Sequence, residues 1–325
     1  HILLYAPNIS AAKRLNQALS DWGANLKSDG RPIMGLHCAE LVKLCKDVDQ
    51  QIEIVPAHAW TPHFGVFGSL SGFDSLEEAF GDQARHIFAI ETGLSSDPKM
   101  NWQVPQLENI ALISNSDAHS LRKLGREANV FSIPEGQLSY QAVMQAIKSG
   151  DRKQFLYTIE FFPEEGKYHL DGHADCKFSC LPAETKRLEG RCPICGKRIL
   201  RGVLSRVDEL AGSIQSDTDR TPFKSIIPLE EIIADNFGVG PASKKVLTTY
   251  EKLVAVKPEF YLLIDATEPE LISLAGEDLA KAILKVRTGK VSIQPGYDGI
   301  FGKISLYSDE EKQFKKATKA QPTLF

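Results

Sequence analysis

The sequence predicts an α/β domain followed by a small metal-stapled module and a helical segment. Three observations carry this. Between Ile2 and about Lys148, short β-rich runs alternate with helical patterns, as α/β barrels and doubly wound sheets require. Four of the six cysteines fall between Cys176 and Cys195, where periodic apolar patterning stops. Beyond Gly202 the apolar positions return at helical spacing with polar opposite faces. A chain of 325 residues with 42% hydrophobic content can bury a sizeable core, divided among two or three domains.

Taken in order, the candidate strands of the first part are Ile2 to Tyr5, Ile52 to Val55, His86 to Ile90 and Ile110 to Ser114. They are apolar runs too short for helices. The candidate helices, Ser10 to Trp22, Cys38 to Asp47, Ser75 to Phe80 and Tyr140 to Lys148, repeat apolar residues three and four apart. The later helices are Ser205 to Ala211, Leu229 to Asn236, Ser243 to Leu253 and Glu268 to Val286. These divide the chain into a first domain over 1–160, a metal module over 161–204, a helical domain over 205–303 and a charged, flexible tail over 304–325. His1 heads an apolar run directly, so an earlier part of the first domain is expected outside this sequence.

Composition excludes several classes. The apolar runs fall far below the roughly 20 residues that span a bilayer, and no signal peptide is visible, which predicts a cytoplasmic protein with no membrane partner. A net charge of −4 excludes binding nucleic acid by overall charge, although local basic patches can still contact phosphates. Clustered cysteines without secretory signals favour metal over disulfides. Cys38 and Cys45 read as packing positions on one helix.

Three candidate strands run into metal-ligating residues: Pro-Ala-His58, Glu91-Thr-Gly and Asp117-Ala-His119. Parallel barrels place catalytic groups at the C-terminal ends of their strands, so residues distant in sequence converge on one rim. In extended backbone, Asp117 and His119 point to one face and offer a carboxylate and an imidazole to one cation. His1, His37 and His63 do not share this placement and read as structural or loop residues.

At these residues the sequence resembles the PHP phosphoesterase family, and more closely its endonuclease Q subgroup. The resemblance rests on Pro-Ala-His58-Ala-Trp60-Thr-Pro, Gly-Ser-Leu-Ser-Gly-Phe73-Asp74-Ser, Glu91-Thr-Gly-Leu-Ser-Ser-Asp97-Pro, Asn115-Ser-Asp117-Ala-His119-Ser and Lys123-Leu-Gly-Arg126-Glu-Ala-Asn129. It implies a distorted (β/α)7 PHP barrel, incomplete at its N-terminus here because the family's opening His-x-His and next two ligands would precede His1. It also implies two or three catalytic divalent metals (zinc, manganese or magnesium) held by His58, Glu91, Asp117 and His119. The implied reaction is hydrolysis of DNA 5′ of a deaminated base (uracil, hypoxanthine or xanthine) or an abasic site. Extruding the damaged nucleotide would suit that chemistry. Trp60, Phe64, Phe67 and Phe73 are candidates to stack or wedge, or else to pack a loop. Asn115 and Ser116 are candidates to bond a base edge, and Lys123 and Arg126 to bind phosphate.

The module His173-x2-Cys176-x15-Cys192-x2-Cys195 has zinc-ribbon spacing and implies a structural zinc, with Cys180 and His169 as rivals of His173. Such a zinc would position Lys197, Arg198 and Arg201. Phe237-Gly238-Val-Gly240-Pro-Ala-Ser-Lys244-Lys245 reads either as a DNA-backbone-binding helical hairpin or as a plain interhelical turn. Lys281, Lys285, Arg287 and Lys290 form a basic helix end suited to the same use. Gln321, Leu324 and Phe325 resemble the bacterial sliding-clamp pentapeptide. The expected partners are therefore damaged DNA and the clamp, the expected location the bacterial nucleoid, and the expected state a monomer. A metabolite phosphatase would need neither the zinc module nor the hairpin, and a noncatalytic adaptor would not need the ligands at the strand ends.

Overall fold

The computed structural model describes residues 1–27, 32–212, 220–308 and 311. The first part comprises β1 (Ile2–Tyr5), α1 (Ile9–Trp22), α2 (Cys38–Val48), β2 (Glu53–Pro56), α3 (Leu76–Phe80), β3 (Ala89–Glu91), α4 (Pro98–Asn101), β4 (Ala111–Ile113), β5 (Ala128–Phe131), α5 (Tyr140–Ser149) and β6 (Phe155–Glu160). The helices begin where side chains satisfy their first N–H groups. Asn8, Ser75 and Ser139 accept bonds from the amides of Ala11, Glu78 and Ala142, and Gly23, with φ at 101°, ends α1 in the left-handed region. Ala11, Leu15 and Leu19 form the buried stripe of α1 at helical spacing.

β3 and β4 pair in parallel, Ala89 opposite Ala111 and Glu91 opposite Ile113. β2 joins them through the amide of Ala59, which bonds the Glu91 carbonyl at 3.0 Å, and β6 joins through Ser114 Oγ, 3.0 Å from the Ile159 carbonyl. β1 departs from the all-parallel expectation: it runs antiparallel to β2, Leu3 opposite Val55. Among the described residues the strands form sheets of two or three members, and no closed barrel is present.

The metal module contains the hairpin β7 (Asp171–His173) and β8 (Phe178–Cys180), then α6 (Pro182–Arg187). The chain continues through α7 (Val203–Leu210) and β9 (Phe223–Ser225), which adds in parallel to β6. The helical domain consists of α8 (Leu229–Phe237), α9 (Lys244–Val254), α10 (Glu268–Ala275) and α11 (Glu277–Arg287), followed by the pair β10 (Ser292–Gln294) and β11 (Lys303–Ser305). The single helix expected over Glu268 to Val286 is two helices, because Gly276 sits at φ 81° and breaks the ladder. The apolar run at Tyr261 forms a π-helical turn, Tyr261–Asp265, whose carbonyls are gathered by Arg287. The guanidinium donates to the carbonyls of Leu262 at 2.7 Å, Leu263 at 2.6 Å and Ala266 at 2.6 Å. Arg287 is thus committed to the fold rather than to a phosphate.

Three apolar cores result among the described residues. One surrounds Trp60, Phe67 and Phe80 and takes in Val203 and Val207 of α7. A second lies among α8 to α11 and includes Ile159 and Phe162. A third, around Ile113, Met144 and Phe155, backs β3 and β4. β5 and β6 feed two of them. Leu156, an extra residue on β6 between the pairs Val130–Tyr157 and Phe131–Phe155, shifts the register, so that Tyr157 and Ile159 join Ala128 and Val130 at the second core while Phe155 stacks on Phe131 in the third. No helix among the described residues is long and apolar enough to cross a membrane.

Candidate active site and metal module

The parallel pairing of β3 with β4 brings Glu91 beside the segment that carries Asn115 and Asp117. Glu91 is buried at 3% exposure, yet both carboxylate oxygens are bonded. Oε2 accepts the amide of His58 at 2.6 Å, and Oε1 accepts Asn115 Nδ2 at 2.8 Å. Burial pushes its pKa up and nearby Asp117 adds to the rise, while the donors from Asn115 and His58 pull it down. Asn115 is itself fixed by Asn129, whose amide donates to Asn115 Oδ1 at 3.2 Å. The side chain expected to read a base edge therefore positions Glu91.

His58 sits at φ 31° and Asp117 at φ 43°, a left-handed region that costs a non-glycine residue on the order of 1–3 kcal/mol. Such strain persists where surrounding contacts over-determine it. Gly93 provides one such contact, since a Cβ there would lie 2.7 Å from the Cβ of His58. Thr61 Oγ1 lies 2.7 Å from His58 Nδ1 and within donating reach of the His58 and His63 carbonyls. With its proton on a carbonyl, that hydroxyl accepts from Nδ1, which leaves the Nε2 lone pair of His58 facing forward. Opposite it, at 2.8 Å, stands Nδ1 of His1. Sequence reasoning read His1 as structural because no strand end marked it; the antiparallel β1–β2 pairing, which sets Ile2 opposite Pro56, carries it to His58. His119 Nδ1 lies 2.7 Å from the Asp117 carbonyl and must donate to it, so Nε2 keeps its lone pair for a ligand. Asp117 and His119 are exposed, and the four candidate ligands do not close into one cluster of ligand atoms among the described residues. The donors, two carboxylates and imidazoles with oriented lone pairs, nevertheless fit a divalent cation by type.

Other sequence candidates fall as follows. Trp60 is fully buried, with its indole N–H on Asn101 Oδ1 at 2.7 Å, so it packs the core beneath the site and presents no face for stacking. Phe67 is buried with it and Phe73 packs against the same core. Phe64 is the exposed aromatic, stacked on the His1 ring with centroids 4.8 Å apart. Ser116 is half-buried on the loop between Asn115 and Asp117. Lys123 and Arg126 pair with Glu231 of α8, at 3.9 Å and 3.1 Å. Gly238 and Gly240 lie in an exposed turn between α8 and α9, and Lys244 and Lys245 are the exposed first residues of α9. There Gly238 takes φ 70°, Ser243 caps α9, and Lys245 Nζ lies 3.8 Å from the Phe237 ring centroid. Gln321, Leu324 and Phe325 lie outside the described residues.

In the metal module, His173, Cys176, Cys192 and Cys195 bring four ligand atoms within 4.8 Å of one another. The knuckle closes because Gly196, at φ 74°, donates its amide to the Cys192 carbonyl at 2.8 Å, while the Cys192 amide bonds the Lys197 carbonyl at 2.8 Å. Cys180 turns away toward Thr185 Oγ1 at 3.2 Å, and His169 is buried elsewhere, its pKa pushed down by desolvation to about 4. The His/Cys3 set could hold a structural zinc with all four positions filled by protein.

Fold and site together define a mixed α/β protein with an attached Cys/His metal module and a C-terminal helical domain. The lesion-specific endonuclease Q of Pyrococcus furiosus has this architecture: its crystal structure matches with a TM-score of 0.85 and 31% identity over 99% of this chain and 79% of that one. An endonuclease Q complexed with a 27-mer duplex bearing an abasic lesion at the active site matches with a TM-score of 0.84 and 32% identity over 96% and 77%. The chain belongs to the endonuclease Q family. It is also similar to YqxK of Bacillus subtilis, 31% identical over 94% of this chain and 73% of that protein. To MJ0043 of Methanocaldococcus jannaschii it is 32% identical over 80% of this chain, but it spans only 33% of that protein's length. Residues 228–290 match the MJ0043 C-terminal domain family, which coincides with the helical domain.

Proposed function

We propose that the protein is a DNA-repair endonuclease that hydrolyses the phosphodiester 5′ of a deaminated base (uracil, hypoxanthine or xanthine) or of an abasic site. The observation that carries this is Glu91. It is a buried carboxylate held at a strand end by the His58 amide and Asn115, beside Asp117, in a chain matching a lesion-bound endonuclease over almost its whole length. The catalytic part corresponds to a PHP-type domain. His58, Glu91, Asp117 and His119, joined by His1, would hold divalent cations. When bound, these would stabilise charge on the scissile phosphate and acidify an attacking water. Asn115 and Thr61 keep Glu91 and His58 aimed, and Phe64 offers a ring at the mouth of the site. The α8–α9 turn with Gly238, Gly240 and Lys244 would bind the DNA backbone without reading sequence. Gln321, Leu324 and Phe325 would tether the enzyme to a sliding clamp.

The test is incision of end-labelled duplexes carrying one deoxyuridine, deoxyinosine or abasic site by the full-length polypeptide, against Asp117→Ala and an undamaged duplex. A cut immediately 5′ of the lesion, lost in Asp117→Ala and after chelation, is the expected result. Failure to cut with zinc, manganese or magnesium refutes the reading.

A further inference from the structure

Leu121 and Leu124 are exposed at 87% and 66% on the loop that follows Asp117-Ala-His119. Single exposed apolar residues are ordinary, and Ile9 and Leu138 are examples here. These two differ in place and in presentation. Leu121 is four residues beyond Asp117, so their Cα atoms lie at most about 14 Å apart. The segment Leu121–Lys123 is a 3-10 turn, with the Leu124 amide on the Leu121 carbonyl at 3.3 Å, and residues three apart on such a turn are eclipsed. The two side chains therefore form one apolar edge. The turn behind that edge is braced. Arg126, its side chain 18% exposed, pairs with Glu231 at 3.1 Å, and Gly125, at φ 74°, backs onto the Phe260 ring. Arg122 lies between the leucines, its side chain 59% exposed although it sits 3.4 Å from Glu230, whose own side chain is 16% exposed, and its five N–H donors exceed what that one carboxylate takes up.

We propose that Leu121 and Leu124 form a wedge that enters the base stack beside the lesion and props the duplex open while the damaged nucleotide occupies the site. The proposal rests on the endonuclease reading and adds to it the groups that force extrusion. A rigid apolar edge flanked by a cation matches what a duplex offers at an unstacked step, namely apolar base faces bordered by phosphates. Leucine is among the side chains that proteins insert between base steps. Deamination weakens pairing but does not abolish it, so part of the unstacking cost falls on the protein. A single-stranded lesion carries no such cost.

The experiment compares the full-length wild type, Leu121→Ala/Leu124→Ala and Leu121→Met/Leu124→Met, with divalent cation present, on one deoxyuridine oligonucleotide used single-stranded and as a duplex. Single-turnover incision is followed together with fluorescence of a 2-aminopurine placed next to the lesion. The alanine pair should lose about 10–100-fold on the duplex, with the fluorescence rise of the wild type abolished. It should cut the single strand within about twofold of wild type, as a residue that acts only on stacking requires. The methionine pair should restore duplex cutting. Undiminished duplex incision by the alanine pair, or an equal loss on both forms of the DNA, overturns the wedge while wild-type cutting leaves the endonuclease reading intact. Absence of cutting by the wild type on either form overturns both.

Discussion

Removing one zinc ligand should unfold the metal module and leave the rest of the protein folded. From Leu170 to Arg201 no residue belongs to any of the three apolar cores, and the buried apolar residues of that stretch are Cys192 and Ile199. Burial of such side chains is worth roughly 1.5–3 kcal/mol each. Ordering the backbone costs on the order of 1–2 kcal/mol per residue, so two side chains cannot hold a stretch of this length. A structural zinc contributes about 10–16 kcal/mol to folding in small metal-bound modules, and the geometry of His173, Cys176, Cys192 and Cys195 is suited to it. The assay is zinc stoichiometry combined with amide hydrogen exchange read by mass spectrometry. Wild type should hold one zinc per chain in the module, over and above any cation at His58, Glu91, Asp117 and His119. Cys176→Ser and Cys192→Ser should lose it, with amides such as those of Gly196 and Leu200 exchanging at least about a thousandfold faster and those of α8 and α11 unchanged. Cys180→Ser, bonded to Thr185 rather than to the cluster, should keep its zinc. Retention of zinc and protection in Cys192→Ser would refute the reasoning, and so would loss of zinc in Cys180→Ser.

Two further outcomes follow from polar groups, one half-buried and one buried. Arg287→Ala withdraws a charged donor from two carbonyls of the π-helical turn and that of Ala266 just after it, and should lower stability in urea unfolding by about 3 kcal/mol, with Arg287→Lys intermediate. Glu160 is buried beside the hydroxyls of Thr92, Ser114 and Thr158, and burial, countered by those hydroxyls, raises its pKa. Since the folded state holds this proton more tightly than the unfolded chain, its contribution to stability is complete below the ordinary Glu pKa of about 4.3 and is lost as pH rises toward neutrality. The slope reaches about 1.4 kcal/mol per pH unit for one such group, and Glu160→Gln should flatten the fall in melting temperature between pH 5 and pH 8; an unchanged slope would contradict the assignment.

Much of the fold was legible because local signals agreed with tertiary needs. α2, α5, α8 and α9 begin and end within about a turn of the positions given by apolar spacing and caps. Spacing favoured His173, Cys176, Cys192 and Cys195 but left Cys180 and His169 as rivals, and only the fold, which turns Cys180 to Thr185, brings the four together as a set that could hold zinc. What escaped was long-range. Nothing local to His1 announces that antiparallel pairing sets it against His58, and nothing in Pro-Ala-His58-Ala-Trp60 shows that the indole points inward to Asn101. Lys123 and Arg126 carry the charge expected of phosphate ligands, but Glu231, more than 100 positions away, meets them first. Gly276 was misjudged for the opposite reason: helical periodicity continues across it, and only its positive φ marks two helices.

The β5–β6 pair, whose two faces feed different cores, bears on how such a protein can be cut apart or recombined. Because Ala128, Val130 and Ile159 pack against the helical domain, excision of that domain would leave an apolar strand face open to water. The helical unit is therefore no interchangeable cassette. Fusion or domain-swap designs that treat residues 228–290 as a portable module should yield insoluble remnants of the α/β part, and grafts between homologues should succeed only when β5 and β6 travel with the helices.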